Sequence, residues 1–424
     1  MKAYPGSVFV LPANNEFLRN PDVHYPFRQE SNFYYLSGFD EPEAFLVLSP
    51  TSAKSGNYKT TLFCRKRDPE REIWDGERYG TEGALAVFGV DEAFVTQEFD
   101  KKLPELLKGA ETLYYRLGAD EIIDRRVHAS LERFRLSSGR SGKCFIQIAD
   151  PSGPLGEMRL FKSKEEVESL RKACQITAAA HKDVMREVRP GMKEFEVEAL
   201  IDYSFRRKGC QRLGYGSIVA GGVNATCLHY RSNNEILKAG DLLLVDAGGE
   251  YDYYTSDITR TLPIGKTFSK VQSRVYDLVL KSQLEAISMT KPGAKIPDIH
   301  SRVCDVLVEG LLSLGLLRGK KEEIISSGNY KRFYPHSTSH WLGMDVHDVG
   351  LYYLNGEPRV LEPGMVFTIE PGFYAQTADQ EVAEEYRGIG IRIEDDILVT
   401  PTGYDVLTRD VPKERAEIEE LRGR

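Results

Sequence analysis

The stretches VDAGGEYDYYTSDITRT, residues 245–261, and GIGIRIEDDIL, residues 388–398, place acidic side chains within strand-like apolar runs. A carboxylate at such a position loses its hydration and is costly unless a cation or a hydrogen-bond donor compensates. The first stretch contributes Asp246 and Asp257, and the second contributes Glu394. We therefore predict that the two stretches meet in space and that their carboxylates bind divalent metal ions.

The alternation of side chains along a strand separates residues that face a site from residues that face the core. In the first stretch, Asp257 is predicted to share a face with Thr259, whereas Arg260 points to the opposite face. Arg260 is therefore not the simple ion-pair partner of Asp257. For Asp246 taken alone, a carboxylate that caps the turn before two glycines explains the sequence equally well.

The same alternation predicts a charged face opposite an apolar face in the second stretch. The charged residues are Arg392, Glu394 and Asp396, and the apolar residues are Ile389, Ile391 and Ile393. Gly388 and Gly390 leave part of the charged face without side chains, so a substrate or another backbone can approach there. In MVFTIEPG, residues 365–372, Glu370 is likewise predicted to lie opposite the core-facing side chains. A solvent-exposed strand face is the alternative for these charges.

Half of the eight histidines fall in two short stretches, CLHY at residues 227–230 and HSTSHWLGMDVHD at residues 336–348. A lone histidine is more often a core or surface residue than a ligand. Three histidines within thirteen residues, beside Trp341, are better evidence for a site. Gly343 and the polar residues around it favour loop and strand over a zinc-binding helix.

Composition and charge narrow the class of protein. The chain has 424 residues, of which 41% are apolar and 28% charged, as in soluble globular proteins with more than one domain. Its formal net charge of −8 argues against a nucleic-acid or membrane surface as partner. No apolar run approaches the roughly 20 residues of a membrane span. The six scattered cysteines predict free thiols in a cytoplasmic protein.

Strand-like and helix-like signals alternate through the first part of the chain. We predict a smaller α/β domain over residues 1–155, including one helix over residues 92–107. The stretch DPSGPLG, residues 150–156, reads as a break between domains. Ser163 and Glu166 have the spacing of a capping box, which predicts the start of a helix.

The second domain, residues 156–424, is predicted to be α+β. After its first helices, the signals are strands over residues 215–263, helices over residues 270–315 and strands over residues 334–400. This order favours an antiparallel sheet with helices on one face.

Several stretches closely resemble the proline-specific aminopeptidase P family, and together they cover almost the whole chain. In the second domain they are LVDAG (244–248), YTSDITRT (254–261), SHWLGMDVHDVG (339–350), LEPGMVFTIEPGFY (361–374) and GIGIRIEDD (388–396). Earlier in the chain, YPFRQESNFYYLSGFDEPEA (25–44) resembles the N-terminal signature of the family and MRLFKSKEE (158–166) its linker. The resemblance implies an α+β pita-bread catalytic domain preceded by a smaller α/β domain.

The resemblance also implies a two-metal site. Its ligands would be Asp246, Asp257, His340, Glu370 and Glu394, with Asp257 and Glu394 bridging the metals. Oxygen-rich ligands with one imidazole suit Mn²⁺, and also Co²⁺ or Zn²⁺. Two such ions lower the pKa of water, so that hydroxide is available near neutral pH to attack the Xaa-Pro carbonyl.

Further residues receive roles from the same resemblance. Glu370 is expected to transfer the proton, while His229 and His347 stabilise the scissile carbonyl and its tetrahedral intermediate. The expected pocket residues are His336, Tyr374, Arg392 and Tyr230. Ser337 stands where we expect a small glycine in the family.

The expected function is release of the N-terminal residue from peptides with proline in second position. An Xaa-Pro dipeptidase of the same fold is the alternative, and a non-catalytic binding module and a methionine aminopeptidase are further ones. The N-terminal domain is expected to mediate a homodimer or homotetramer and to control substrate access. Asp22 and Trp74 are its candidate residues for that role.

Overall fold

The computed structural model describes residues 4–51, 57–139 and 146–423. The chain divides into two compact units, Met1–Leu155 and Gly156–Arg424. None of the helices in the described ranges combines the length and the apolar character that crossing a bilayer requires.

In the first unit, a mixed six-stranded sheet has the strand order β6-β5-β4-β1-β7-β8. The strands are β1 (Ser7–Pro12), β2 (Leu18–Asn20), β3 (Val23–His24), β4 (Phe45–Pro50), β5 (Tyr58–Cys64), β6 (Glu92–Val95), β7 (Thr112–Tyr114) and β8 (Gln147–Ala149). The helices are α1 (Ser31–Ser37), α2 (Pro69–Asp75), α3 (Gly80–Val87), α4 (Phe99–Leu106) and α5 (Glu121–Ser138), followed by α6 (Ser152–Leu160) across the division. Strands β2 and β3 form a separate hairpin.

Strand β1 explains why this sheet is covered on both faces. Val8 and Val10 belong to a core cluster with side chains of α4 and α5. Phe9 and Leu11, on the other face, belong to a second cluster that includes Phe33 of α1. A strand that is buried on both faces reads as a continuous apolar run, which is the pattern of residues 8–11.

One helix prediction in this part of the chain is wrong. Residues 92–107 are not one helix, because β6 covers Glu92–Val95 and α4 begins only at Phe99. The short apolar run Ala93–Val95 has no alternation of its own, and periodicity alone does not distinguish such a run from part of a helix. The division between the two units falls at Leu155 and Gly156, within the predicted break, although residues 152–156 are helical and belong to α6. Pro154 lies in the first turn of α6, where a missing N–H is tolerated.

The second unit repeats one order of elements, two helices followed by strands. The helices are α7 (Lys164–Glu187), α8 (Glu194–Arg207), α9 (Lys270–Ser288), α10 (Ile296–Ser313), α11 (Lys321–Ser327) and α12 (Arg415–Gly423). The strands of the first half are β9 (Arg212–Leu213), β10 (Ile218–Gly221), β11 (Leu242–Ala247), β12 (Gly249–Tyr251), β13 (Tyr254–Thr255) and β14 (Ile258–Pro263). Those of the second half are β15 (Tyr353–Leu354), β16 (Glu357–Pro358), β17 (Val366–Ile369), β18 (Gly372–Tyr374), β19 (Gly390–Arg392), β20 (Asp395–Thr400) and β21 (Gly403–Val406).

Each half contributes an antiparallel three-stranded sheet, β10-β11-β14 in the first and β17-β20-β21 in the second. One core cluster contains side chains from these sheets and from the helices α7 to α10. The capping box that opens α7 is confirmed: Glu166 N–H donates to Ser163 Oγ, and Ser163 N–H donates to Glu166 Oε2 at 2.7 Å.

Strand predictions fail at two places in the second unit. Residues 334–352 form a loop in which Trp341 makes only an isolated bridge to Phe367. The expected strand through Asp257 is interrupted, since β13 ends at Thr255 and β14 begins at Ile258. The chain turns just before this point, where Asp252 has a φ of 50°.

Gly390 allows another backbone to approach β19, which was one of the two alternatives raised by the glycines of this strand. A Cβ at Gly390 would lie 2.2 Å from the carbonyl oxygen of Ala225. The space beside Gly390 is therefore filled by the short 3₁₀ helix Gly222–Thr226 and not by substrate.

We expect the substitution Gly390→Ala to destabilise the protein by about 1–3 kcal/mol, because the added methyl group must push Ala225 away. Gly265→Ala is the control, since a Cβ there has no neighbour within 4 Å. Urea unfolding of both variants, followed by circular dichroism, measures the difference. Equal free energies of unfolding would contradict the steric account.

Candidate metal centre

A cavity of about 940 Å³ lies in the second unit, and all five predicted metal ligands line it. They are Asp246, Asp257, His340, Glu370 and Glu394. Carboxylate oxygens and one imidazole nitrogen therefore face a common space.

The backbone places four of these ligands at or just beyond the end of a strand. Asp246 is next to last in β11, and Asp257 directly precedes β14. Glu370 follows the last residue of β17, and Glu394 lies between β19 and β20. Asp246 is still paired with Ile218 and Thr259, whereas the other three lie outside the strands, so their side chains need not follow the alternation of the sheet.

Three of the ligands are close enough to share one cation. His340 Nε2 lies 3.3 Å from Asp257 Oδ2 and 3.7 Å from Glu370 Oε1. Asp257, His340 and Glu394 each offer a ligand atom within 4.8 Å of the other two.

The hydroxyl of Tyr215 lies between the carboxylates of Asp246 and Asp257. Its hydroxyl oxygen lies 2.6 Å from Asp246 Oδ1 and 2.5 Å from Asp257 Oδ1. One O–H can donate to only one of two carboxylates, so the second contact between oxygen atoms requires a further proton or a cation. A bound metal ion is such a cation.

Charge counting leads to the same conclusion. Four carboxylates converge here, against the guanidinium of Arg392 and the imidazole of His340. Burial raises the pKa of Asp246, raises that of Glu370 to about 7 and raises that of Glu394 well above its usual range. Burial opposes the imidazolium of His340, but the hydrogen bond and charge of Asp257 raise its pKa to about 9. The residues therefore fit a site for divalent cations, which would offset the excess negative charge.

Hydrogen bonds hold the bridging candidates in place. Thr259 Oγ1 donates to Glu394 Oε2 at 2.6 Å, and Glu394 N–H donates to the carbonyl oxygen of Thr259 at 3.1 Å. The backbone N–H of Asp257 donates to Asp396 Oδ2 at 3.0 Å. These bonds connect the strands that carry the two ligands.

Two neighbouring charges lie away from the cavity wall. Asp396 is fully buried behind Asp257, so the expectation that it shares a face with Arg392 and Glu394 is wrong. The alternation fails because the strand is interrupted between Arg392 and Asp395. Arg260 forms an ion pair with Asp395 at 2.7 Å. It does not pair with Asp257, which agrees with the prediction from the alternation of side chains.

The predicted histidines all line the cavity. They are His229, His336 and His347, in addition to His340. The rings of His340 and His347 meet edge to face, with centroids 4.5 Å apart. His336 Nδ1 lies 3.7 Å from Glu370 Oε2, and burial together with Arg392 lowers the pKa of His336 to about 3. His336 is therefore neutral at physiological pH.

Tyr374 and Tyr230 do not belong to the wall of this cavity. The buried Tyr374 hydroxyl lies 2.9 Å from His336 Nε2 and accepts from Arg392 Nη1, so it positions two residues that do line the wall. The Tyr230 hydroxyl donates to Glu194 Oε2 at 2.8 Å. The apolar part of the wall comes instead from Ile218, Leu228, Ile296, Pro297, Val346, Tyr352 and Tyr353.

Tyr215 and His300 are among the cavity residues that sequence reasoning missed. Tyr215 stands between Gly214 and Gly216 just before β10, and Gly214 lies against Thr255, so the only signal in the sequence was this pair of glycines. His300 lines the cavity from α10, where its Nδ1 lies 2.7 Å from Thr338 Oγ1. His300 gave no signal, because it stands alone in an amphipathic helix.

Arg392 completes the charged part of the wall. Its Nη2 donates to Asp246 Oδ2 at 2.5 Å, and its Nε donates to Thr259 Oγ1 at 3.1 Å. Asp246 is therefore shared between Arg392 and Tyr215, and a turn-capping role does not account for it.

Family models match both units of this chain. Residues 168–401 match metallopeptidase family M24, and residues 1–114 match the aminopeptidase P N-terminal domain. The chain belongs to metallopeptidase family M24. The expected fold class, a pita-bread α+β catalytic domain after a smaller α/β domain, is confirmed.

Individual relatives agree over nearly the whole length. The Xaa-Pro aminopeptidase of Escherichia coli K12 is 43% identical over 98% of this chain and 94% of its own. Human Xaa-Pro aminopeptidase 3 is 35% identical over 97% of this chain and 80% of its own.

Solved structures extend this agreement to the backbone. The structure of Pseudomonas aeruginosa aminopeptidase PepP has a TM-score of 0.95 at 46% identity, and covers 99% of this chain and 94% of its own. A Zn-substituted E. coli aminopeptidase P in complex with product has the same TM-score at 42% identity, and covers 99% of this chain and 94% of its own.

We expect the metal-free protein to lose stability as the pH rises from 6.5 to 9. The folded pKa of His340 is raised from 6.5 to about 9 and that of Glu370 from 4.5 to about 7, so the folded protein binds more protons than the unfolded chain. Each such proton contributes a slope of about 1.4 kcal/mol per pH unit. Bound divalent cations replace these protons, so the metal-loaded protein should lose less stability.

Melting temperatures across this pH range, with a chelator and with Mn²⁺, measure the difference. The control His340→Gln removes the imidazole and should reduce the slope of the metal-free protein above pH 7. A metal-free melting temperature that rises from pH 6.5 to 9 would contradict the charge balance described here.

Proposed function

We propose that this chain is a dinuclear-metal aminopeptidase that releases the first residue of peptides with proline in second position. The observation that carries the proposal is the convergence of four carboxylates and one histidine on a single cavity. The names of the full-length relatives support the substrate class.

The metals would be held by Asp246, Asp257, His340, Glu370 and Glu394, with Asp257 and Glu394 as the shared ligands. The closeness of Asp257, His340 and Glu394, whose ligand atoms lie within 4.8 Å of one another, supports this sharing. Two divalent cations, when bound, would polarise the scissile carbonyl and lower the pKa of the attacking water. Mn²⁺ suits the donor set best, and Co²⁺ or Zn²⁺ also fit it.

Glu370 transfers the proton in this proposal. Its Oε2 accepts the proton of the attacking water and passes it to the leaving proline nitrogen. In the metal-free protein, burial raises the pKa of Glu370 to about 7, so this buried carboxylate readily takes up a proton.

His229 and His347 bind the carbonyl oxygen and the negative charge that develops on it. Burial lowers the pKa of His347, so its ring is neutral and offers one N–H. The rings of His347 and His340 meet edge to face at 4.5 Å, which places the His347 imidazole beside the ligands. One such donor is worth about 10²–10³ in rate.

Recognition of proline follows from the chemistry of its peptide bond. The Xaa-Pro bond has no N–H, so the site must bind the ring by its shape and not by a hydrogen bond. Neutral His336, fixed by Tyr374, provides a ring face beside Glu370. Ile218 and Leu228 add apolar wall to the same cavity.

A homodimer or homotetramer belongs to this proposal, with the first unit controlling substrate access. Trp74 of α2 is 82% exposed and Ile73 equally so, an apolar surface that suits contact with a second subunit. Asp22 lies in the tight turn between β2 and β3. The five described cysteines are free thiols, in keeping with a cytoplasmic enzyme.

We expect the Mn²⁺-loaded protein to release the first residue of a tripeptide Xaa-Pro-Yaa. A peptide with alanine in place of proline should be cleaved much more slowly, because only the proline ring fills its subsite. Amino-acid analysis of the products measures both rates. Cleavage of the dipeptide Xaa-Pro alone would establish a dipeptidase instead, and release of Met from a peptide without proline would establish a methionine aminopeptidase.

The substitution Glu394→Gln should weaken metal binding and remove most of the activity, because a shared carboxylate is lost. Exposed Glu322 of α11 provides the control Glu322→Gln, which should leave both unchanged. Metal analysis after dialysis and the tripeptide assay measure the two effects. Normal turnover with full metal content in Glu394→Gln would refute the shared-ligand role.

A further inference from the structure

Two buried basic side chains at the start of the second unit contact the loop that carries two of the site histidines. We define this histidine loop as residues 340–350, from His340 past His347. The side chains of Arg159 and Lys162 are each 1% exposed, although both residues are basic. Neither side chain lines the catalytic cavity.

Both cations bind the residue that follows His347. Arg159 Nη2 donates to Asp348 Oδ1 at 2.5 Å, and Lys162 Nζ donates to Asp348 Oδ2 at 3.1 Å. The Asp348 side chain is itself 1% exposed. Arg159 also bonds Asp345 at 2.8 Å, so it contacts the loop on both sides of His347.

The backbone of the loop is closed around these ion pairs. Asp348 N–H donates to the carbonyl oxygen of Trp341 at 2.9 Å. A Cβ at Gly343 would lie 2.1 Å from Asp348 Oδ2 and 3.1 Å from Lys162 Cε, so only glycine leaves room for the carboxylate. The carbonyl oxygen of Gly343 accepts from the N–H of Thr255, two residues before a predicted metal ligand.

Stability alone is a weak reason for such a cluster. Burying ionised side chains costs several kcal/mol of hydration for each ion, and apolar side chains of similar volume often fold equally well. A charged cluster does specify one arrangement, because each carboxylate oxygen has one partner. The element whose position it specifies is the segment 345–348, which includes His347.

We propose that Arg159 and Lys162 are positioning residues that clamp Asp348 and thereby set the imidazole of His347 against His340. The inference rests on the proposed role of His347 in binding the scissile carbonyl. It assigns a task to the segment MRLFKSKEE, residues 158–166, which the sequence showed only as a linker. Arg159 and Lys162 act through Asp348 and touch neither substrate nor metal.

The variants Lys162→Met and Asp348→Asn test the clamp, because each removes a charge at nearly constant volume. We expect kcat on the tripeptide to fall by about 10- to 100-fold, within the range for loss of one carbonyl donor, while KM and metal content change little. Lys162→Arg restores the charge and should recover most of the activity.

Glu157→Gln is the matched control. Glu157 lies on the same segment and binds Arg359 through two hydrogen bonds, of 2.5 and 2.8 Å, but does not contact Asp348. Its loss should lower the melting temperature without the fall in kcat. Equal falls in kcat for Glu157→Gln and Lys162→Met would overturn the proposal, as would losses that match a loss of metal.

A double-mutant cycle with His347→Ala gives the sharpest result. If the clamp acts through His347, Lys162→Met should change kcat by less than about 2-fold in the His347→Ala background. Independent, multiplicative losses would overturn the clamp. If Lys162→Met does not fold, the same double-mutant cycle is measured with Asp348→Asn and His347→Ala.

A second readout does not depend on catalysis. In the metal-free protein, the ring NMR signals of His347, assigned by their loss in His347→Ala, should shift or broaden in Lys162→Met and not in Glu157→Gln. Unchanged signals in both would overturn the clamp. Lack of tripeptide cleavage by the wild-type enzyme overturns the proposed function instead, and is measured first.

Discussion

Uncompensated negative charge in a buried space is the constraint on which the catalytic unit depends. Asp246, Asp257, Glu370 and Glu394 meet at one cavity, and burial raises the pKa of three of them. Such a cluster is tolerated only if cations or protons are present. Tyr215 and Arg392 donate hydrogen bonds to Asp246, and Thr259 donates one to Glu394. These bonds compensate part of the negative charge of the cluster.

The two halves of the second unit each supply part of the cluster. The sheet β10-β11-β14 brings Asp246 and places Asp257 beside it, while the sheet β17-β20-β21 brings Glu370 and Glu394. Both halves must therefore be folded and packed before the ligands meet. This requirement explains why bonds across the halves, such as Glu394 N–H to the Thr259 carbonyl and Arg260 to Asp395, lie directly behind the site.

Buried ion pairs recur around the site without entering it. Arg260 with Asp395 fixes the strand that leads to Glu394, and Arg159 with Asp348 fixes the histidine loop. The first pair joins two strands, since Arg260 lies in β14 and Asp395 begins β20, whereas the second joins Arg159 of α6 to a loop. Hydrogen bonds between charged groups are strong and directional, so each pair specifies the relative position of the segments that it joins.

The sequence by itself determined the fold class, the capping box at Ser163 and all five candidate ligands, because these depend on local patterns and on motifs that span a few residues. It predicted the core faces around Phe367 and Ile391 for the same reason, since a strand alternates its side chains with period two. Only the tertiary structure decided which side chains share a surface. Asp396 does not lie on the predicted charged face, because the strand is interrupted after β19. Tyr374 lies behind His336 and not in the cavity wall. His300 and Tyr215 line the cavity, although they are distant in sequence from the predicted ligands. Interrupted strands and long-range packing set these positions, and neither leaves a periodic signal in the chain.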